Sequence, residues 1–422
     1  MANNLSIDDV SVLANAVLSE AQGITDGSVQ VDASNFVSVA QTVLKQGYDP
    51  LMTTISQVLT RTIFSERPYA AKFSGLTRDS EQWGNHVRKL NPIDKPLERD
   101  NRLYDENGDL LTDGSTVDMY KINKPKVLQT NFYGEDTFQN SYTIWKDQLD
   151  TAFTGIGQFG NFLSMIASNS NDKLTQARED LARLAVCNLI GATIFEGNEP
   201  QVINLYEEYQ KATGDTTTAV TDILKPANYK AFMQVAFAVI KSVMDRMTER
   251  SVIYHVNPLL DADDGVQHIR RHTPKSMMHC YMMADFMNLS ETAALSNTFH
   301  DDYLKVMDYE PVTFWQTIAD PYKINIKGVH YGFKSSGVGD TVVTNDLSDL
   351  YTFDFATSED MKVVGVLFDD DTLGVTRINQ WSGNTPFNVR GGYTNHYDHE
   401  TNRWYMDNTE NAVVFVIAPL GE

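Results

Sequence analysis

Hydrophobic positions along this chain change their spacing several times, and each change predicts a different kind of element. Between residues 8 and 64 the spacing is helical but interrupted: Val10, Leu13, Ala14, Val17 and Leu18 line one face, and after "GITDGSVQVDAS" a second set begins at Phe36, Val39 and Val43. The Gly and Asp residues between the two sets form turns, so short helices in an arm laid over neighbours are expected here rather than a self-contained domain. From about Phe73 to Phe138 large apolar side chains seldom recur at core spacing, and charged, Pro-broken, strand-like segments take over. Within them "YDENGDL" is a hairpin signal, because Asn107-Gly108 can take the positive φ angles of a type I′ turn. A long polar β-hairpin follows. Isolated two-stranded ribbons are marginal in water, so this one is expected to lie on something else, with another copy of the chain as a candidate.

Helical spacing returns between Tyr142 and Phe195, first as Trp145, Leu149 and Phe153, then as Leu174, Ala177, Leu181 and Leu184. A further helix is predicted over "YKAFMQVAFAVIKSVMDRMTER", with Val235, Val239, Val243 and Met247 as its stripe and Arg246 and Arg250 at its C-terminal end, where cations suit the helix dipole. Strand patterns close the chain. "YKINIKGVHYGF" alternates through Ile324 and Ile326, "KVVGVLFDDDTLGVTRINQW" reads as strand, acidic turn, strand, and "NAVVFVIA" is an apolar run of strand length. The fold class is α+β, with helices in the middle and strands gathered from distant parts of the chain. No internal repeat interrupts this order.

Composition and charge narrow the function. At 422 residues, 42% of them hydrophobic, the chain has ample material for a packed core. Its 56 acidic against 34 basic side chains give a net charge of -22, which argues against sequence-specific DNA or RNA binding through clustered Lys and Arg. The opening residues include Asp8, Asp9 and Glu20 where a secretion leader would be apolar, and the runs "VVFVIA" and "VAFAVI" are too short to span a bilayer, so a soluble, unsecreted protein without a membrane partner is expected. Cys187 and Cys280 sit in apolar or Met-rich settings, read as buried thiols, and pairs of cysteines for zinc are absent.

Candidate chemistry does not survive its own spacing rules. "GIGQFG" carries Gly155, Gly157 and Gly160 at the dinucleotide spacing, but "TIWKDQLDTAF" before it reads as a polar helix where a strand is required, so a glycine-rich break between helices is expected. His268 and His272 stand four apart like zinc ligands on a helix, with His279 beyond, yet Arg270 and Arg271 occupy the place of the catalytic glutamate and oppose a divalent cation. "DADDG" fails as a calcium loop, since counting Gly265 as sixth puts Leu260 first and Arg271 twelfth. In "GGYTNHYDHETNRWYM" strand alternation puts His396, Asp398 and Glu400 on one face and Tyr397, His399 and Thr401 on the other, which separates the two histidines. A nucleophile elbow and a P-loop are missing. No metal, cofactor or catalytic residue is assigned, and the chain is read as a non-enzyme.

The order of elements, namely helical arm, long polar hairpin, long helix, central mixed region and C-terminal strands, resembles the major capsid proteins of tailed phages, the Hong Kong 97 fold. The tail "GVLFDDDTLGVTRINQWSGNTPFNVRGGYTNHYDHETNRWYMDNTENAVVFVIAP" and, more loosely, "NFLSMIASNSNDKLTQAREDLARL" are similar to capsid proteins of small short-tailed phages. The resemblance implies an N-terminal arm over residues 1–72, an extended loop over 73–138, a peripheral domain with its spine helix over 139–225 (the spine itself about 170–196), an axial domain over 226–355, and C-terminal strands over 356–422 rejoining the peripheral domain. It implies a shell protein that assembles through pentamers and hexamers into an icosahedral head around double-stranded DNA. The tip of the extended loop, Asp105, Glu106, Asn107, Gly108 and Asp109, would touch the adjacent copy.

Scaffolding, portal and decoration proteins would be the other partners, and the virion capsid the destination after synthesis in the host cytoplasm. Some members of that family join subunits through a loop lysine and an asparagine. Lys89, Lys95, Lys121, Lys124 and Lys126 lie in the corresponding region, but no pattern singles one out and cross-linking is not expected. An encapsulin-like compartment shell is the alternative on the same fold. A soluble metal-dependent enzyme using His268, His272 and His279, or the His396 to Glu400 cluster, is the alternative from another class.

Overall fold

The fold was taken from a computed structural model of the chain, which describes residues 72–78, 87–92, 100, 102–105, 109–116, 120, 127–132, 134–152, 156–196, 199–256, 269–295, 309–331, 342–345 and 350–420. In chain order the elements are β1 (Thr77–Arg78), β2 (Val87–Pro92), β3 (Val127–Phe132), β4 (Gly134–Trp145), α1 (Lys146–Ala152), α2 (Ile156–Glu196), β5 (Val202–Asn204), α3 (Leu205–Thr213), α4 (Tyr229–Met247), β6 (Met278–Met283), α5 (Ala284–Leu295), β7 (Glu310–Val312), β8 (Asn325–Tyr331), β9 (Val342–Asn345), β10 (Leu350–Ala356), β11 (Lys362–Asp369), β12 (Leu373–Asn384), β13 (Tyr393–Met406) and β14 (Ala412–Ile417). They fall into two compact units, one of residues 1–83, 135–182 and 375–403 and the other of 84–134, 183–374 and 404–422. The short helices expected before residue 65 lie outside the described residues.

The first unit is a four-stranded sheet in the order β1-β12-β13-β4, with β1 parallel to β12 through Thr77 and Val375. Alternation along β13 is as the sequence predicts: Thr394, His396 and Glu400 are buried while Tyr397 and His399 are half-exposed, and His399 stacks on Trp381 at 3.9 Å between ring centroids. On the buried side, α2 crosses β13 and β4 through polar contacts. Ser170 donates to Asp398 (2.6 Å), Asn140 donates to Ser170 (2.9 Å), and Arg178 meets Glu400 at 3.0 Å. The helical pattern expected from about Tyr142 gives way to strand as far as Trp145, and the helix begins only at Lys146. Tyr142, Thr143 and Ile144 are β-formers, and cross-strand bonds such as Thr143 to Asn395 (2.7 Å) and the contact of Trp145 with Tyr393 keep them in β4.

The second unit is built on a five-stranded sheet, β5-β14-β11-β6-β7, in which β11 runs antiparallel to β14 and β6 while β5 and β7 add parallel edges. All six residues of β14 are buried, which is why "AVVFVI" is continuously apolar instead of alternating. Fully buried Trp315 donates its indole N–H to the Val363 carbonyl at 2.7 Å, so its polar atom is satisfied within the core. Asn204 ends β5 and caps α3, accepting from the Tyr206 N–H, and its amide also donates to the Ala418 carbonyl at 2.9 Å. Gly214 closes α3 with φ 74 and a bond to the Gln210 carbonyl.

Two predicted stripes are rotated in the structure. On α4 the buried face is Phe232, Met233, Ala236, Phe237, Ile240, Val243, Met244 and Met247, whereas Val235 and Val239 are only half-buried. Phe and Met bury more apolar area than Val, so the helix turns those side chains inward. On α2, Leu174 and Leu181 are core residues but Leu184 is 49% exposed.

Candidate assembly interface

Within the second unit β2 and β3 pair antiparallel from Val87 with Phe132 to Pro92 with Val127, and β9 adds parallel to β3. Between β2 and β3 in the chain, Tyr104 and Leu110 form an isolated bridge and the Leu111 N–H donates to the Leu103 carbonyl (2.9 Å). Beyond Leu111 the chain turns at Gly114 (φ 85), where the Ser115 N–H donates to the Thr112 carbonyl (3.1 Å).

At the tip the Asp105 N–H donates to the Asp109 carbonyl (2.7 Å), while the Asp109 N–H is taken by the Asp105 carboxylate (2.8 Å). Pairing of Asp105 with Asp109 leaves a three-residue loop where the Asn107-Gly108 signal predicts two. The Asp105 side chain, by substituting for a backbone acceptor, favours this wider closure. Glu106, Asn107 and Gly108 themselves lie outside the described residues.

Apolar side chains on this ribbon are left in solvent: Leu90 is 53% exposed, Leu103 59% and Leu110 70%. Its base, by contrast, is held by buried charge. The Lys89 ammonium reaches Glu410 Oε1 at 2.6 Å, Asp407 Oδ2 at 3.0 Å and the Asp371 carbonyl at 3.1 Å, and Arg271 reaches the same Glu410 oxygen at 2.9 Å. Burial pushes the Lys89 ammonium toward deprotonation, but Asp407 and Glu410 outweigh it and hold its pKa above the ordinary lysine value. The sequence offers no signal for this cluster. Lys89, Arg271 and the Asp407–Glu410 segment lie more than a hundred residues from one another, and Lys89 stands in the chain merely as one of five loop lysines.

The residues considered for metal or cofactor chemistry are dispersed. His268 lies outside the described residues, and His272 is exposed. His279 is held between Glu310 (Nδ1, 3.0 Å) and Asp370 (Nε2, 2.9 Å), where the bond to Glu310 raises its pKa. His396 and His399 point to opposite faces of β13. Gly157 and Gly160 are inside α2, which follows a helix rather than a strand, and Gly155 is not among the described residues. Cys187 and Cys280 are free and buried, and burial pushes both thiols up to about 12, so they are protonated and weakly reactive. Among the described residues no group of three or more His, Cys, Asp or Glu is gathered as a metal site.

The family described as Phi29-like phage major capsid protein matches residues 14–416. The chain belongs to that family. No curated protein matches this capsid protein. Among solved structures it is similar to a chain in the structure of head fiber and inner core protein gp22 of native bacteriophage P68, with a TM-score of 0.51 at 10% identity over 84% of this chain and 86% of that one. A chain in the capsid structure of Staphylococcus phage Andhra gives 0.49 at 11% identity over 85% and 87%. The fold of the capsid protein is the α+β Hong Kong 97 type, and the protein is a structural component of the virion capsid, present there as a shell of many copies.

Proposed function

We propose that this major capsid protein assembles through pentamers and hexamers into an icosahedral head around double-stranded DNA, and that the ribbon tip from Asp105 to Asp109 is the contact with the adjacent copy. One observation carries the reading: Leu103 and Leu110 are exposed beside that tip, on a ribbon whose base is locked by Lys89. The register that pairs Tyr104 with Leu110 sets the two leucines on opposite faces, and each apolar side chain gains by being covered by a neighbouring copy. The arm over 1–72, loop over 73–138, peripheral domain over 139–225, axial domain over 226–355 and C-terminal strands over 356–422 form the corresponding division of labour. Scaffolding, portal and decoration proteins complete the partner set. The genome is enclosed without sequence-specific binding, the chain catalyses no reaction, and it is made in the host cytoplasm.

Replacing residues 104–110 by a short Gly-Ser link tests the reading. The expected result is a folded, soluble subunit that no longer forms capsomers or shells by electron microscopy and sedimentation. Shells of normal yield from the shortened chain would overturn the assignment.

A further inference from the structure

In the first unit, the seam between α2 and the sheet is lined by polar groups where apolar ones would be expected. His396 lies at its centre, 1% exposed, its ring stacked on Tyr142 of β4 (5.0 Å between centroids, 7° between planes). Neither ring nitrogen has a hydrogen-bonding partner in the protein, and the hydroxyl of Thr394, next but one along the same face, is also buried and unpaired. Asp398 and Glu400 follow His396 along the same face of β13, and both are engaged by α2, through Ser170 and Arg178. From α2 the charged groups on this side are Lys173, whose ammonium reaches Asn140 at 3.4 Å, Arg178 and the buried Glu179; β4 contributes Tyr142.

We infer that His396 is an acid-sensitive lock on the packing of α2 against this sheet: the neutral ring closes the seam, and the protonated ring opens it. A neutral imidazole stacked flat on Tyr142 needs only its rim tolerated, at the cost of unpaired nitrogens. An imidazolium has two N–H donors and a full charge to satisfy in a buried place. The nearest remedy is Asp398, and taking it means competing with Ser170, which is one of the contacts that hold α2 down. Protonation therefore charges the seam and draws away one of its bonds in a single step. Burial holds the His396 pKa down to about 4, against the opposing pull of Asp398, so the lock is closed at neutral pH.

The sign follows from the depressed pKa. Its stabilising contribution is fully present above the unfolded value of about 6.5, and it is lost as pH falls toward the folded value. The test uses the full chain, its His396→Gln and His396→Phe variants, and two readouts. In wild type, the His396 ring proton signal, identified by its disappearance in the variants, should titrate at or below about pH 5. Amide exchange of peptides within 165–182, compared at the same pH, should be roughly tenfold faster in wild type than in His396→Phe at pH 4.5, with no such excess at pH 7. Denaturant unfolding between pH 7 and 4 should raise the unfolding constant about a hundredfold more in wild type than in His396→Gln, which keeps the test open if the Phe variant misfolds. A ring that titrates near 6.5, or equal acid responses in wild type and variants, would overturn the inference.

Discussion

Lys89 and Glu410, 321 positions apart in the chain, bring ammonium and carboxylate to 2.6 Å in the second unit and so fasten the first strand of the ribbon to the turn between β13 and β14. Arg271 and Asp407 complete a cluster of two cations and two carboxylates, largely withdrawn from water. Balanced charge is what makes its burial tolerable. Removing one member leaves the others charged and short of a partner.

Lys89→Ala is therefore expected to destabilise the protein by about 3–5 kcal/mol, and Lys89→Met, which keeps the stem packed, by somewhat less. Chemical denaturation measures both. The Lys89 share is fully present below the ordinary lysine value and is lost as pH rises through its raised folded value. The Asp407 share has the opposite sign: Lys89 and Thr409 overcome burial and lower its pKa, so its contribution is lost as pH falls through that folded value. A Lys89→Ala protein as stable as wild type would show that the cluster contributes nothing to anchoring the ribbon.

His279 gives a pH response of its own. Bonds to Glu310 and Asp370 favour the imidazolium and raise its pKa, the Glu310 bond most of all, and burial opposes them. A raised histidine stabilises below the unfolded value of about 6.5 and loses that contribution as pH climbs through the folded value. Because the cluster is partly open to solvent, the expected difference between wild type and His279→Gln is about 1–2 kcal/mol at pH 6, shrinking through pH 8. Unfolding curves at the two pH values decide it: a difference that grows with pH would contradict this sign.

How much of this was legible in the sequence depends on the range of the interaction concerned. The alternation in β13 that separates His396 from His399 and the buried run of β14 were legible because each is set by neighbours within a few residues. The rotated face of α4 was not, because Val235 and Phe232 are both apolar and only the space available inside chooses between them. The start of α1 was missed for a related reason: Trp145 fits either a helix stripe with Leu149 or a strand, and its pairing with Tyr393 is a contact across 248 positions. The anchor of the ribbon was out of reach altogether, since nothing about Lys89 differs locally from Lys121 or Lys126.

Asn204 allows a controlled dissection of one short element. Its side chain caps α3 through the Tyr206 N–H and bonds both the carbonyl and the N–H of Ala418. Asn204→Ala removes the cap and both tethers, with an expected cost of about 2 kcal/mol. Asn204→Asp retains an acceptor for Tyr206 but sets a carboxylate against the Ala418 carbonyl, so it should also destabilise while α3 keeps its helicity. Thermal unfolding with far-ultraviolet dichroism distinguishes the two, and equal stability of both variants with wild type would remove Asn204 from the account of how β5 and α3 are joined.

Leu103 and Leu110 separate folding from assembly most sharply. Each is more than half exposed in the subunit, so replacing both by Ser gives up almost no buried apolar area and should change subunit stability by no more than about 0.5 kcal/mol. Each of these side chains covered by a neighbouring copy would contribute about 1.5 kcal/mol, repeated at every subunit of a shell. The double variant is thus expected to unfold like wild type while its assembly shifts to much higher protein concentration, as read by light scattering. A matching loss of subunit stability would place these leucines in the fold of the ribbon itself, and unchanged assembly would remove them from the interface.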